Sequence, residues 1–323
     1  VNPDAKSAAP KTPKAVVFAY HNVGVRCLAT LLHYRVQVGL VVTHRDNPKE
    51  NIWFGSVEKL ARLHGIPVIT PDDPNTDEVL ARVKAVEADF LFSFYYRNML
   101  KKPLLDSAKR GAYNMHGSLL PKYRGRVPVN WAIIQGETET GATLHAMNEK
   151  PDNGAVVSQQ AVPILINDTA QEVFDKVTVA AEMALHRVLP ALIIGRAPHI
   201  GQDLSQGAYF GGRKPEDGRI DFSQGAAAIH NFVRALTRPY PGAFADIGER
   251  RLVFWRTVLG TGPAPALAGH GARLGLADTG VEEVVLVCAD GGWLRVVDID
   301  LAGQSASPAG FAAAFGGPVL QLT

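Results

Sequence analysis

Residues 15–20 read AVVFAY and residues 36–44 read VQVGLVVTH, two apolar, β-branched runs of strand length. Two more follow at 66–70 (IPVIT) and 89–94 (DFLFSF), and helical patterns alternate with them, among them SVEKLARLHG (56–65) and TDEVLARVKAVEA (76–88). Strand–helix alternation of this kind predicts an α/β architecture, a doubly wound, mostly parallel, Rossmann-like sheet. Open α/β sheets take their ligands beyond the carboxyl ends of the strands. The next strand-like segment, AYNMHG (112–117), therefore leads into the place where a site is expected.

Further along, a helix is expected near VNWAIIQG (129–136), then strands in TGATLHAM (140–147) and GAVVSQQAVPI (154–164). A long amphipathic pattern runs from Asp168 to about Ile193 and closes the first domain. From residue 198 glycine and proline rise, and LVFWRTVL (252–259), EVVLVCA (283–289) and GWLRVVDIDL (292–301) read as short strands between turns. The expected organisation is a polar, disordered leader at 1–13, a catalytic domain at 14–203, and a linker with a small β-rich, OB-like domain at 204–323.

The 323 residues are 46% hydrophobic and 20% charged, an ordinary globular balance, with a formal net charge of +2. So small a charge argues against a general nucleic-acid or membrane-surface binder. Only Cys27 and Cys288 occur, which excludes a disulfide framework and a thiolate zinc site and fits a reducing, cytoplasmic compartment. No apolar run reaches the about 18 residues of a membrane span, so no membrane insertion is expected. The first strand–helix turn, FAYHNVGVRC, holds only Gly24, so a GxGxxG fingerprint is missing; Walker, HExxH and GxSxG motifs are missing too. These absences turn the reading away from dehydrogenases, NTPases, serine hydrolases and metal enzymes, and no metal is expected.

The chemistry concentrates in YNMHGSLLPKYRGRVP (113–128). Residues two apart on a strand share a face, which points Asn114 and His116 the same way. An asparagine amide donates to oxygen without titrating, and a histidine exchanges protons near neutral pH; together they could stabilise a developing oxyanion. A carboxylate is needed to orient such a histidine and favour its charged form, and EKPDNGAV (149–156) supplies Asp152. The same three residues also suit a loop asparagine, a satisfied histidine and a turn aspartate, and spacing does not decide between these readings. Lys122, Arg124 and Arg126 are either a solvated turn or a cluster for an anionic ligand.

Several ordered motifs resemble the folate-dependent formyltransferases. NMHGSLLPKYRGRVPVNWAI carries their Asn-x-His signature, TGATLHAMNEKPDNGAVV their aspartate segment, and YFGGRKPEDGRIDF with VRALTRPYPGAF their junction to a C-terminal domain. Within the family, AVVFAYHNVG, THRDNP, FGSVEKLARLHGIPV and FSFYYRNML are most similar to the formyltransferase domain of the bifunctional polymyxin-resistance enzyme. That enzyme formylates UDP-4-amino-4-deoxy-L-arabinose for lipid A modification. It continues into a dehydrogenase/decarboxylase domain that this chain lacks, so the resemblance implies a free-standing formyltransferase, or that half alone, with a separate dehydrogenase/decarboxylase as partner.

The resemblance implies N10-formyltetrahydrofolate as donor, its pterin held by main chain at Asn98, Met99 and Leu100 and at Asn148, Glu149, Lys150 and Pro151, with Arg126 near the ligands. Asn98 stands where the family has histidine. It also implies Asn114, His116 and Asp152 as catalytic residues and a nucleotide sugar as acceptor. Rival readings are a formyltransferase for another nucleotide-linked amino sugar, a methionyl-tRNA formyltransferase and a non-catalytic folate-binding module. Against tRNA stand THRDNPKENIWFGSVEKL (43–60), which has no basic run, and residues 201–323, with ten Lys and Arg against twelve Asp and Glu.

Overall fold

The computed structural model describes residues 12–47, 52–278 and 280–322. The leader expected at 1–13 lies outside these apart from its last two residues. The chain forms two compact units. The first takes residues up to 125 with 141–162 and 176–209; the second takes 126–140, 163–175 and 210 onward.

In the first unit the alternation expected from the sequence appears as β1 (Lys14–Ala19), α1 (His21–His33), β2 (Gln37–Val42), α2 (Val57–Leu63), β3 (Val68–Ile69), α3 (Asp77–Ala85), β4 (Phe90–Phe94), α4 (Lys102–Leu105) and β5 (Ala112–His116). The helix starts are set locally: the Ser56 hydroxyl accepts the Lys59 N–H and the Thr76 hydroxyl the Val79 N–H. Then come β6 (Arg124–Gly125), α5 (Pro128–Ile134), β7 (Glu139–Ala146), β8 (Val156–Pro163) and α6 (Ala170–Ile193). The main sheet runs β3-β2-β1-β4-β5-β7-β8. Strands β1 to β5 pair in parallel, and β7 runs antiparallel to β5, so the sheet is mixed at this end.

Strands covered on both faces run nearly all apolar, and β4 follows this, with Phe90, Phe92 and Phe94 fully buried and Ser93 its one polar residue. A core of Val16, Phe18, Leu40, Val42, Leu91 and Leu104 fills one side. The strand order reverses direction between β1 and β4, the kind of switch point where ligands enter open sheets. The asparagine–histidine segment lies within β5, between β4 and β7 in the sheet.

The second unit carries β9 (Tyr209–Phe210, of which Phe210 belongs here), α7 (Ala226–Leu236), β10 (Ala243–Ile247), β11 (Arg250–Leu259), β12 (Arg273–Asp278), β13 (Glu282–Val287), β14 (Trp293–Leu301), β15 (Gln304–Ser305), α8 (Phe311–Phe315) and β16 (Val319–Gln321). Its sheet, in the order β10-β11-β14-β13-β12-β16, is antiparallel in each of these pairs, which is the small β-rich domain expected at this end. Helix α7 holds α5 and the turn before α6 within this unit: Asn130 donates to Ala235 O, His230 Nε2 to Ile166 O, and Arg234 to Leu165 O and Asp168 O. Among the described residues no helix is long and apolar enough to cross a membrane.

Candidate active site

Asn114 and His116 sit at the carboxyl end of β5, and antiparallel pairing with β7 sets His145 opposite Asn114. His116 is 6% exposed and His145 2%. Asp152 stands in the turn that leaves β7, with φ at 55°. This left-handed conformation costs most L-residues strain but suits Asp and Asn. The turn presses against its own strand. A Cβ on Gly154 would lie 1.7 Å from Ala146 O, so only glycine fits there. Gln202 ties it from outside, donating to Asp152 O at 2.8 Å and to Gly154 O at 2.7 Å.

One carboxylate oxygen, Asp152 Oδ1, faces two imidazoles: His116 Nδ1 at 3.5 Å and His145 Nε2 at 3.4 Å. The other, Oδ2, accepts the Gly125 N–H at 2.8 Å. Burial pushes the Asp152 carboxyl up, but the neighbouring His116 and His145 imidazoles and the Gly125 N–H outweigh it. Together they hold this carboxyl well below the usual range, so Asp152 is an anion across the working pH range.

Each ring's outer nitrogen meets a main-chain carbonyl: His116 Nε2 lies 2.8 Å from Tyr123 O, and His145 Nδ1 2.9 Å from Ala146 O. Asn114 Nδ2 lies 3.2 Å from His145 Nε2. The loop that presents Tyr123 O is braced from β7 and β8. Thr143 Oγ1 donates to Ser118 O and accepts from Leu120 N, Gln159 donates to Leu120 O, and Ser118 Oγ donates to Lys122 O. A ligand that takes the His116 Nε2–H must therefore compete with a rigidly held carbonyl.

The structure thus brings Asn114, His116 and Asp152 into one cluster and adds His145, which sequence reasoning missed. A histidine amid the buried residues of TGATLHA was the only signal for it. Arg124 is used internally rather than for an anion: it donates to Asn153 Oδ1, Leu204 O and Gly207 O. Arg126 belongs to the second unit, where its N–H donates to Phe210 O.

The Asn98–Leu100 segment is anchored by Leu100, 4% exposed in the core, while the Met99 side chain is 55% exposed. Asn75 clamps it, donating to Met99 O at 3.0 Å and accepting the Lys101 N–H at 2.8 Å; Asn98 donates to Asp72 O. Asn148, Glu149, Lys150 and Pro151 form an exposed turn, with Asn148 Oδ1 accepting the Lys150 N–H. Met147, just before that turn, packs on the cluster that holds Leu100. Among the described residues no group of three His, Cys, Asp or Glu is arranged to hold a metal ion.

The histidine–carboxylate centre thus joins β5, β7 and the turn that leaves β7, in a chain that also carries a small antiparallel domain. The chain belongs to the formyl transferase family: the family model described as Formyl transferase matches residues 25–189, and Formyl transferase, C-terminal domain, matches 213–315. Among solved structures, the fold is similar to the N-formyltransferase from Helicobacter canadensis in complex with folinic acid and dTDP-3-aminofucose, at 22% identity, 91% coverage of this chain, 99% of that one and a TM-score of 0.66. WlaRD, a sugar 3N-formyl transferase solved with dTDP and 5-N-formyl-THF, matches at 20% identity, 92% and 98% coverage and a TM-score of 0.66. Methionyl-tRNA formyltransferase from Clostridium thermocellum matches at 18% identity, 76% and 93% coverage and a TM-score of 0.54.

Proposed function

We propose that this protein transfers a formyl group from N10-formyltetrahydrofolate to the amine of a nucleotide-linked amino sugar. The observation that carries this reading is the buried Asp152 carboxylate set between His116 and His145, with Asn114 alongside. The donor supplies an activated formyl carbon; transfer forms one C–N bond, breaks another, and returns a proton to the departing nitrogen.

Asn114 donates an amide N–H to the oxyanion that develops at that carbon. His116, held charged by Asp152, adds a second donor and passes its proton to the departing nitrogen. Main chain at Asn98–Leu100 and Asn148–Pro151 is assigned to the pterin by the family resemblance, and both segments adjoin one apolar cluster through Leu100 and Met147. Arg126 is assigned to the ligands by the family resemblance alone.

The acceptor is the open variable. The sequence resemblance favours UDP-4-amino-4-deoxy-L-arabinose, whereas relatives aligned along nearly their whole length were solved with dTDP or a dTDP amino sugar, which supports another nucleotide-linked amino sugar instead. The acidic balance of residues 201–323 speaks against tRNA. The test compares kcat/KM for UDP-4-amino-4-deoxy-L-arabinose, dTDP-linked 3- and 4-amino hexoses and initiator methionyl-tRNA, with one formyl donor. A nucleotide sugar is expected to lead tRNA by at least about tenfold, or about 1.4 kcal/mol. Preference for tRNA overturns the acceptor class, and no transfer to any of them overturns the reading.

A further inference from the structure

His145 is a buried titratable ring at the heart of the site that formyl transfer, as described above, leaves without a role. Its surroundings dictate where its proton sits. A main-chain carbonyl only accepts, so Nδ1, 2.9 Å from Ala146 O, carries a hydrogen. In the neutral ring Nε2 is then a lone pair, and the Asn114 amide nitrogen 3.2 Å away, a donor only, fits it.

His116 is built the same way with its nitrogens exchanged. Its Nε2, 2.8 Å from Tyr123 O, is the N–H, and Nδ1 faces Asp152. A single ionised oxygen thus looks at two inner nitrogens, at 3.5 and 3.4 Å, whose only room for a proton is beyond the neutral state. Two lone pairs against a carboxylate repel, so one ring carries an additional proton on its inner nitrogen. The amide decides which one. An Asn114 N–H donated to His145 Nε2 leaves no place for a proton there, and the extra proton falls to His116 Nδ1.

We propose that His145 is a positioning residue of this centre: as a neutral ring protonated on Nδ1, it holds an amide N–H of Asn114 and so places the shared proton on His116. The amide is thereby oriented before substrate arrives, and the proton needed for transfer sits on the ring that meets the reacting atoms. The inference rests on the formyl-transfer reading for its purpose, though not for its geometry. The charged or titratable groups facing the ring are Asp152 from the turn and His116 from β5; its other polar neighbours are Asn114 and the Ala146 carbonyl.

The test has two arms. In the whole protein labelled with 15N-histidine, NMR at neutral pH is expected to show His145 with a pyrrole-type Nδ1 and a pyridine-type Nε2, and His116 protonated on both nitrogens. A cationic His145, or a neutral His116, overturns the proposal. In the kinetic arm, His145→Leu removes the acceptor and is expected to lower kcat about 100-fold, the scale of a misplaced oxyanion donor, with KM for both substrates nearly unchanged. His145→Gln, whose side-chain oxygen reaches the Nε2 position, is expected to recover at least about tenfold of that loss.

Full activity in His145→Leu overturns the proposal, as does a Gln variant no better than Leu. Should neither variant fold, the NMR arm on the natural protein decides. Loss of the formyl-transfer reading would look different: the natural protein would transfer no formyl group to any of the acceptors while the ring protonation pattern stayed as described.

Discussion

Replacing Asp152 by Asn isolates one quantity, the negative charge between the two rings. Asn tolerates the left-handed φ of 55° as well as Asp does, and keeps an oxygen for the Gly125 N–H at 2.8 Å. What disappears is a charge 3.5 Å from His116 Nδ1 and 3.4 Å from His145 Nε2. At an effective dielectric of about 20, a unit pair at that separation attracts by about 5 kcal/mol before desolvation, and stranding one member of a buried pair costs about 3–5 kcal/mol. The catalytic effect should be larger than the stability effect alone suggests, since a neutral amide also no longer orients His116 as the carboxylate does; the analogous change in a Ser-His-Asp triad costs about 10⁴ in kcat.

Single-turnover formyl transfer at saturating donor and acceptor is expected to slow by at least about 10³-fold. Thermal unfolding adds a sign. A carboxylate whose folded pKa is depressed stabilises fully above its unfolded value of about 3.9, and that contribution fades as pH falls towards the folded value. The Tm gap between the natural protein and the Asp152→Asn variant should therefore be widest at neutral pH and close below about pH 4. A turnover within tenfold of normal together with a pH-independent Tm gap would refute the charge argument.

Two further outcomes are expected elsewhere in the molecule. Asn75→Ala removes both clamps on the Asn98–Leu100 segment, so the KM for the folate donor should rise about tenfold while the acceptor KM and kcat hold; equal changes in both KM values would place that segment outside the donor site. His230 lies buried between Thr257 and Ile166 O, and burial, aided by Arg234, lowers its pKa against the hydrogen bond to Ile166. With the folded pKa lowered, stability is intact above the ordinary value of about 6.5 and is lost as pH falls below it. The natural protein should thus lose Tm from pH 6.5 to 5 more steeply than His230→Gln, and parallel curves would contradict this.

Much of the fold was legible because it rests on local signals. Phe90, Phe92 and Phe94 mark a strand covered on both faces, and Ser56 and Thr76 mark helix starts by supplying a hydroxyl to the third residue on. Strand length was less legible: IPVIT reads as five residues of strand, yet only Val68 and Ile69 pair, because this run lies at the sheet edge with one neighbour. Asn114, His116 and Asp152 were singled out by the family motif, since a spacing of two shows only that Asn114 and His116 share a strand face.

His145 did not declare itself. Its partnership with Asn114 is a matter of antiparallel register between strands 31 positions apart, and nothing within either strand fixes that register. Arg124 stayed open in the sequence for a related reason. A cation beside a loop rich in polar residues looks available in sequence, whereas here three oxygens from distant turns already claim it.

The second compact unit is assembled from three separate stretches of chain, 126–140, 163–175 and 210 onward. Helix α7, in the last stretch, supplies Ala235 O to Asn130 in the first and receives carbonyls from Leu165, Ile166 and Asp168 in the second. Covalent order and spatial order are therefore out of step, and no single cut separates the two units. A protease nick or gene break near residue 210 would leave α5 and the start of α6 attached to the wrong fragment, with polar groups stripped of their partners. In modular terms the C-terminal part behaves as a woven piece rather than a detachable cartridge. Recombination that exchanged it between relatives would succeed only where the two earlier stretches travelled with it.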